Sequence, residues 1–133
     1  MEFSVDPKLD RPPSRQLVDQ ILDALASDLF LPGARLPSVR ELAGLVLINP
    51  NTVARTYRDL MQMGVAEGRS GSGVFVTETG PELARAARRA ETLRLFEAAA
   101  HEALRSGHSV ERLRARLDDA LQRGTQRTPE TTS

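Results

Sequence analysis

Residues 36–76 read LPSVRELAGLVLINPNTVARTYRDLMQMGVAEGRSGSGVFV, two helix-start signals running into a glycine-rich hairpin with almost nothing to spare between them. Leu36-Pro37 closes an extended segment. Ser38 and Glu41 then form an S-x-x-E capping box, in which each side chain satisfies an orphan backbone N–H of the first turn. A helix therefore starts at Val39, with Val39, Leu42, Ala43 and Val46 turned inward at spacings of three and four. After Leu47-Ile48, the run Asn49-Pro50-Asn51-Thr52 supplies an N-cap, a proline where its missing N–H costs nothing, and two small polar residues. A second helix begins there. Val53, Tyr57, Leu60 and Met61 make its apolar face, Asn51, Thr52, Arg55, Arg58 and Gln62 lie on the other side, and Gly64 closes it.

Two short helices joined by so tight a turn match the helix-turn-helix, whose second helix presents its N-terminal residues to the major groove of DNA. Asparagine pairs bidentately with adenine and arginine with guanine, threonine reaches a base or a phosphate, and the free amides of a helix start attract phosphate oxygens. The plainer alternative is that Asn49 and Thr52 only cap a helix. The hairpin that follows weighs against it. Val65-Ala66-Glu67 and Val74-Phe75-Val76 read as short strands around a flexible tip, Gly68 to Gly73, which lets the backbone approach a phosphate closely and leaves Arg69 as its charge. A first helix over about Ser14 to Ser27, with Leu17, Ile21, Leu22, Leu25 and Leu29 along one side, completes a three-helix core. The expected fold is mainly α with a small β-hairpin wing.

These residues carry a family resemblance. Gln16 to Ile21, then Leu31-Pro32-Gly33, Leu36 to Ala43, the string Asn49 to Val53 followed by Arg55 and Tyr57, and Gly71-x-Gly73-x-Phe75-Val76 together resemble the GntR transcription regulators, and within them the YtrA-like subfamily. The likeness covers about residues 12 to 77 in several ordered motifs. It implies DNA contacts from Arg40 on the first helix of the motif, from Asn49, Asn51, Thr52 and Arg55 around the recognition helix, and from Arg69, Ser70 and Gly71 at the wing tip. Ser38 and Arg58 join the candidate DNA-binding set by position. An ion pair between Arg40 and Glu41 is the competing reading. Some positions depart from the family's habit: Ser14 replaces a frequent aromatic, Asp28 a helix-ending glycine, Ala34 an acidic residue, Leu47 a polar or glycine turn residue, and Val74 a threonine. Leu47 is expected to pack elsewhere on the chain or to widen a dimer contact.

From Pro81 the texture changes to alanine, arginine, glutamate and leucine. One helix should run to about Arg105, with Leu83, Ala86, Ala87, Ala90, Leu93, Phe96, Ala100, Ala103 and Leu104 in a stripe. After Gly107, Ser109 caps a second, striped by Val110, Leu113, Leu117, Ala120 and Leu121 and ending at Gly124. So much apolar edge calls for a helical bundle shared between two copies, and the resemblance agrees, since YtrA-like regulators dimerise through a short helical tail. The alternative is a hairpin folded back on its own winged domain. The organisation is then an N-terminal arm (1–13), a winged helix-turn-helix (14–77), a two-helix C-terminal dimerisation segment (78–124) and a disordered tail (125–133).

Composition limits the functions. The 133 residues hold no cysteine, so disulfides and thiolate metal sites are excluded. No apolar run approaches a membrane span and the start lacks signal-peptide features, which suggests the cytoplasm. No nucleophile, base and acid converge, so no enzyme is expected, nor any cofactor: the only lysine is Lys8. Glu97, His101 and His108 read better as exposed polar residues than as metal ligands. Charge is the awkward feature, because 18 Lys+Arg balance 18 Asp+Glu. Within 35–72, however, five arginines face only Glu41, Asp59 and Glu67. The expectation is a sequence-specific regulator of transcription on double-stranded DNA, a homodimeric repressor reading an inverted repeat, with modest non-specific affinity. A winged-helix protein-interaction module without specific DNA binding is the alternative, and a small-molecule effector at the dimer interface is left open.

Overall fold

The computed structural model describes residues 2–127, in the order α1 Pro13–Ala26, α2 Val39–Val46, α3 Pro50–Gln62, β1 Ala66–Arg69, β2 Gly73–Val76, α4 Gly80–Arg105 and α5 Val110–Arg127. These residues divide into two compact units, one up to Glu91 and one from Thr92.

In the first unit, Leu17, Val18, Ile21 and Leu25 of α1 are buried against Leu42 of α2 and Val53, Tyr57 and Leu60 of α3. Each such side chain contributes about 1.5–3 kcal/mol of burial. Leu29 does not line this core: it lies beyond the helix end, in the exposed stretch after the turn. Met61 is likewise half-exposed at the edge of α3. Thr56 replaces it inside, fully buried, its hydroxyl donating to the Thr52 carbonyl at 3.0 Å and to the Ser14 carbonyl of α1 at 3.4 Å. The Tyr57 hydroxyl donates to the Pro37 carbonyl, tying α3 to the residue before the α2 cap. Burial first, and the charge of Glu41 second, raise its pKa, so it remains a neutral donor.

The wing is tighter than its sequence suggests. Gly68 and Arg69 belong to β1, Arg69 pairs with Gly73, and only Ser70, Gly71 and Ser72 form the tip. A third extended segment, absent from the strand expectation, flanks β2. The Gly33 amide donates to the Val76 carbonyl at 2.8 Å, Val76 to Ala34 at 2.9 Å and Leu36 to Val74 at 2.9 Å, with Arg35 bridged to Phe75. The N-terminal segment is no free arm. Gln16 and Gln20 each exchange side-chain amide bonds with its backbone, at Asp6 and Ser4, while Phe3 stacks on Phe30 at 6.4 Å.

Helix α4 meets the first unit at Gly80, where a Cβ would stand 2.6 Å from the Val65 carbonyl oxygen. Pro81 and Ala84 are buried behind it and Ala87 of the expected stripe packs on the core, whereas Leu83 and Ala86 of that stripe are exposed. Small side chains permit that close docking. Arginines then staple α4 to α1 and to the turn after it: Arg88 lies 2.6 Å from Asp23 and 3.6 Å from Asp19, and Arg85 lies 3.4 Å from Asp28 beyond the helix end.

The second unit joins the rest of α4 to α5 through Gly107, which takes φ 96° to close the helix. Ser109 caps α5, its hydroxyl accepting from the Arg112 amide at 3.1 Å. Helix α5 does not stop at Gly124: it continues to Arg127, the Thr125 hydroxyl bonded to the Leu121 carbonyl at 3.0 Å. The disordered tail expected over 125–133 is therefore helical at its start, and residues 128–133 lie outside the described residues. No helix among the described residues is long and apolar enough to cross a membrane.

Candidate nucleic-acid interface

The capping box at α2 forms in full. The Ser38 hydroxyl accepts from the Glu41 amide at 3.0 Å, and the Glu41 carboxylate accepts from the Ser38 amide at 3.3 Å. Its bonds with Ser38 hold the Glu41 carboxyl below the ordinary carboxylate range. With Glu41 so engaged, the neighbouring Arg40 is exposed and makes no ion pair among the described residues. The competing Arg40–Glu41 pair does not form.

At α3, Asn49 has extended backbone and its side-chain oxygen accepts from the Asn51 amide at 2.8 Å. Its side-chain NH₂ is not used by the cap. Pro50 fills the first helical position, so one orphan donor is absent by construction. Asn51, Arg55 and Arg58 are exposed, Thr52 is half-buried, and neither arginine has a hydrogen bond or ion pair among the described residues. Burying Val53, Tyr57 and Leu60 turns these polar side chains outward.

On the wing, Ser70 and Gly71 are exposed, with Gly71 at φ 75° in the turn. Arg69 is less free than its place in the sequence suggests. Its guanidinium pairs with Glu67 at 3.2 Å and lies over the Phe75 ring at 4.2 Å. The ten candidate residues thus fall on α2, on the outer side of α3 and on the wing, all within the first unit. Between α2 and α3, Leu47 adopts the left-handed φ of 57° and is 88% exposed, with Leu45 at 68%. It packs on no other part of the described chain. Glu41, Asp59 and Glu67 share the elements of the candidate residues, whereas Asp19, Asp23 and Asp28 lie on α1 and just after it, held by Arg11, Arg88 and Arg85. Among the described residues no group of His, Asp or Glu is placed to hold a metal ion.

The profile of "Bacterial regulatory proteins, gntR family" matches residues 13–76, the three helices and the hairpin just described. The chain belongs to this gntR family. Among similar proteins, the HTH-type transcriptional repressor YtrA of Bacillus subtilis is 36% identical over 76 residues, 57% of this chain and 58% of that protein. The chain spans between about half and two thirds of the length of the first curated relatives it matches. A transcriptional regulator from Oenococcus oeni, known by crystal structure, is 32% identical with a TM-score of 0.68, over 88% of this chain and 97% of that one. The AraR DNA-binding domain, crystallised in complex with an operator, has a TM-score of 0.53 at 21% identity over 57% of this chain and 96% of that one, a likeness of fold. These gntR-family and neighbouring proteins are named as regulators, not enzymes.

Proposed function

We propose that this gntR-family protein is a dimeric repressor of transcription, binding an inverted-repeat operator in double-stranded DNA through residues 14–77 and dimerising through the helices of 78–124. The observation that carries the reading is the free N-terminal end of α3. Asn51, Arg55 and Arg58 stand exposed there, Arg40 lies on α2, the α3 amides begin without a covering acidic residue, and the wing completes the same unit. Asn51 and Arg55 suit base edges, and Ser38, Arg40, Asn49, Thr52, Arg58, Arg69, Ser70 and Gly71 suit the backbone or flanking positions. That YtrA is named a repressor and AraR is held on its operator supports the same assignment by likeness.

The dimer rests on the second unit. Phe96, Ala100, Leu104, Val110, Leu113 and Leu117 line an apolar groove of about 450 Å³. A two-helix unit cannot bury these side chains alone, and a second copy covers them most simply. Two symmetric recognition helices then read two half-sites about one helical turn apart or a multiple of it.

Selection of bound sequences from random duplex DNA, with sedimentation of the purified protein, tests both parts. An enriched inverted repeat and a dimer are expected. A single enriched half-site with a monomer would remove the dimer from the reading. Absence of any enrichment or salt-sensitive binding would reject DNA recognition in favour of a protein-docking module.

A further inference from the structure

The wing has two arginines, on opposite sides of one glycine. Gly73 opens β2 with Arg69 of β1 as its partner across the ladder, and on its other side runs the segment that carries Arg35. A Cβ at Gly73 would stand 2.9 Å from Arg35 Nε and 3.7 Å from Arg35 Cζ, so the guanidinium lies directly against this backbone. Gly73 also has φ 112°, a conformation that side chains rarely adopt. The backbone shape favours glycine here, and the head of Arg35 occupies the room that a side chain would take.

The two charges differ in what they already hold. Arg69 is paired with Glu67 and lies over Phe75. Arg35 is exposed and has neither a side-chain hydrogen bond nor an ion pair among the described residues. The carboxylate that senses its charge is Glu41, which is occupied by the Ser38 amide. Arg35 also lies three residues before the α2 cap, so its segment runs from the Gly73 end of β2 to the Ser38–Arg40 end of α2.

We propose that Arg35, rather than Arg69, is the wing's principal phosphate-binding charge, laid across Gly73 to contact the duplex backbone between wing and α2. This rests on the DNA-binding reading above. A guanidinium already close to a carboxylate gains little from a phosphate, because it must first give up that partner. An unpaired one releases a counterion and gains a bidentate contact at once.

The test is the salt dependence of binding by the full chain to a mixed-sequence duplex long enough for two half-sites. Arg35→Gln, present in both copies of the dimer, should lower the log–log slope by about 1.8, one phosphate contact of about 0.9 per copy, and weaken binding roughly sixtyfold at 0.1 M salt. Arg35→Lys should keep the slope, and Arg69→Gln should lower it by less than Arg35→Gln does. An unchanged slope in Arg35→Gln, in a protein that otherwise binds and melts as the parent does, would overturn the proposal alone and leave Arg35 as cover for Gly73. An equal or larger loss in Arg69→Gln would overturn it too. Failure of the parent protein to bind duplex at any salt would overturn both this and the function it rests on.

Discussion

Up to Glu91 the chain closes a core of large apolar side chains, and from Thr92 onward it closes none among the described residues. Leu17, Leu25, Leu42 and Leu60 are completely buried, whereas Leu93, Phe96, Leu104 and Leu121 are each about half exposed. Yet α4 belongs to both regions. Its first turns bury Gly80, Pro81 and Ala84, and its last turns offer Phe96 and Leu104 to a groove. A three-helix core with a covering hairpin closes on itself, while two helices have one apolar side too many. That geometry is what the proposal of a stable first region and an associating second one rests on.

Substitution in the two regions should break the contrast most plainly. Leu60→Ala should cost about 2–5 kcal/mol, read by thermal or urea unfolding, because it empties a closed core. Phe96→Ala should leave the first region's transition in place and instead shift sedimentation toward the monomer at low concentration. Comparable losses of stability from both would show that the second region carries its own closed core. Next in size are Asn51→Ala and Arg55→Ala. Each should weaken discrimination between DNA sequences by about 1–3 kcal/mol with unchanged unfolding, and unaltered sequence preference in both would mean that α3 is aimed elsewhere.

Smaller effects sharpen the picture within the first region. Ser38→Ala should cost about 1 kcal/mol by removing the N-cap. It should also flatten the acid limb of stability. The Glu41 carboxyl is depressed in the folded state, so its contribution is present above the unfolded carboxylate value and lost as pH falls through the lowered one. Stability measured between neutral pH and about pH 3 in both proteins checks this. Smallest is Leu47→Gly, expected to stabilise by up to about 1 kcal/mol, since a left-handed leucine is costly and glycine returns only part of the gain as entropy. A destabilised Leu47→Gly protein would show that the exposed leucine makes a contact worth more than its strain.

Where local chemistry decides structure, the letters were legible. The Ser38–Glu41 box, the Asn49-Pro50 start and the apolar spacing of α3 are contained in a few adjacent residues, and the structure reproduces them. The two non-glycine residues at positive φ among the described residues, Asp28 and Leu47, stand where the resemblance implies a glycine and a polar residue or glycine respectively. What escaped reading depends on distant partners. That Leu36-Pro37 ends an extended segment is expected, but its pairing with β2 is not, because Gly33–Leu36 has no alternating pattern. The docking of residues 3–6 uses two glutamine side chains as backbone mimics, which composition does not announce. The inward face of α4 follows its smallest residues, because closeness at Gly80 outweighs the size of Leu83. At the candidate site, the exposure of Arg55 and Arg58 was readable from helical spacing. The capture of Arg69 by Glu67 and Phe75, and the placement of Arg35, required the hairpin register.

Because Asp19, Asp23 and Asp28 are matched by arginines of the same unit, while Arg35, Arg40, Arg55 and Arg58 make no ion pair among the described residues, a chain whose charges sum to zero is electrically lopsided. Near a polyanion such a molecule feels a turning force before it feels much net pull. It would reach its target already rotated to the correct side, and would let go readily where the local sequence offers nothing to hold.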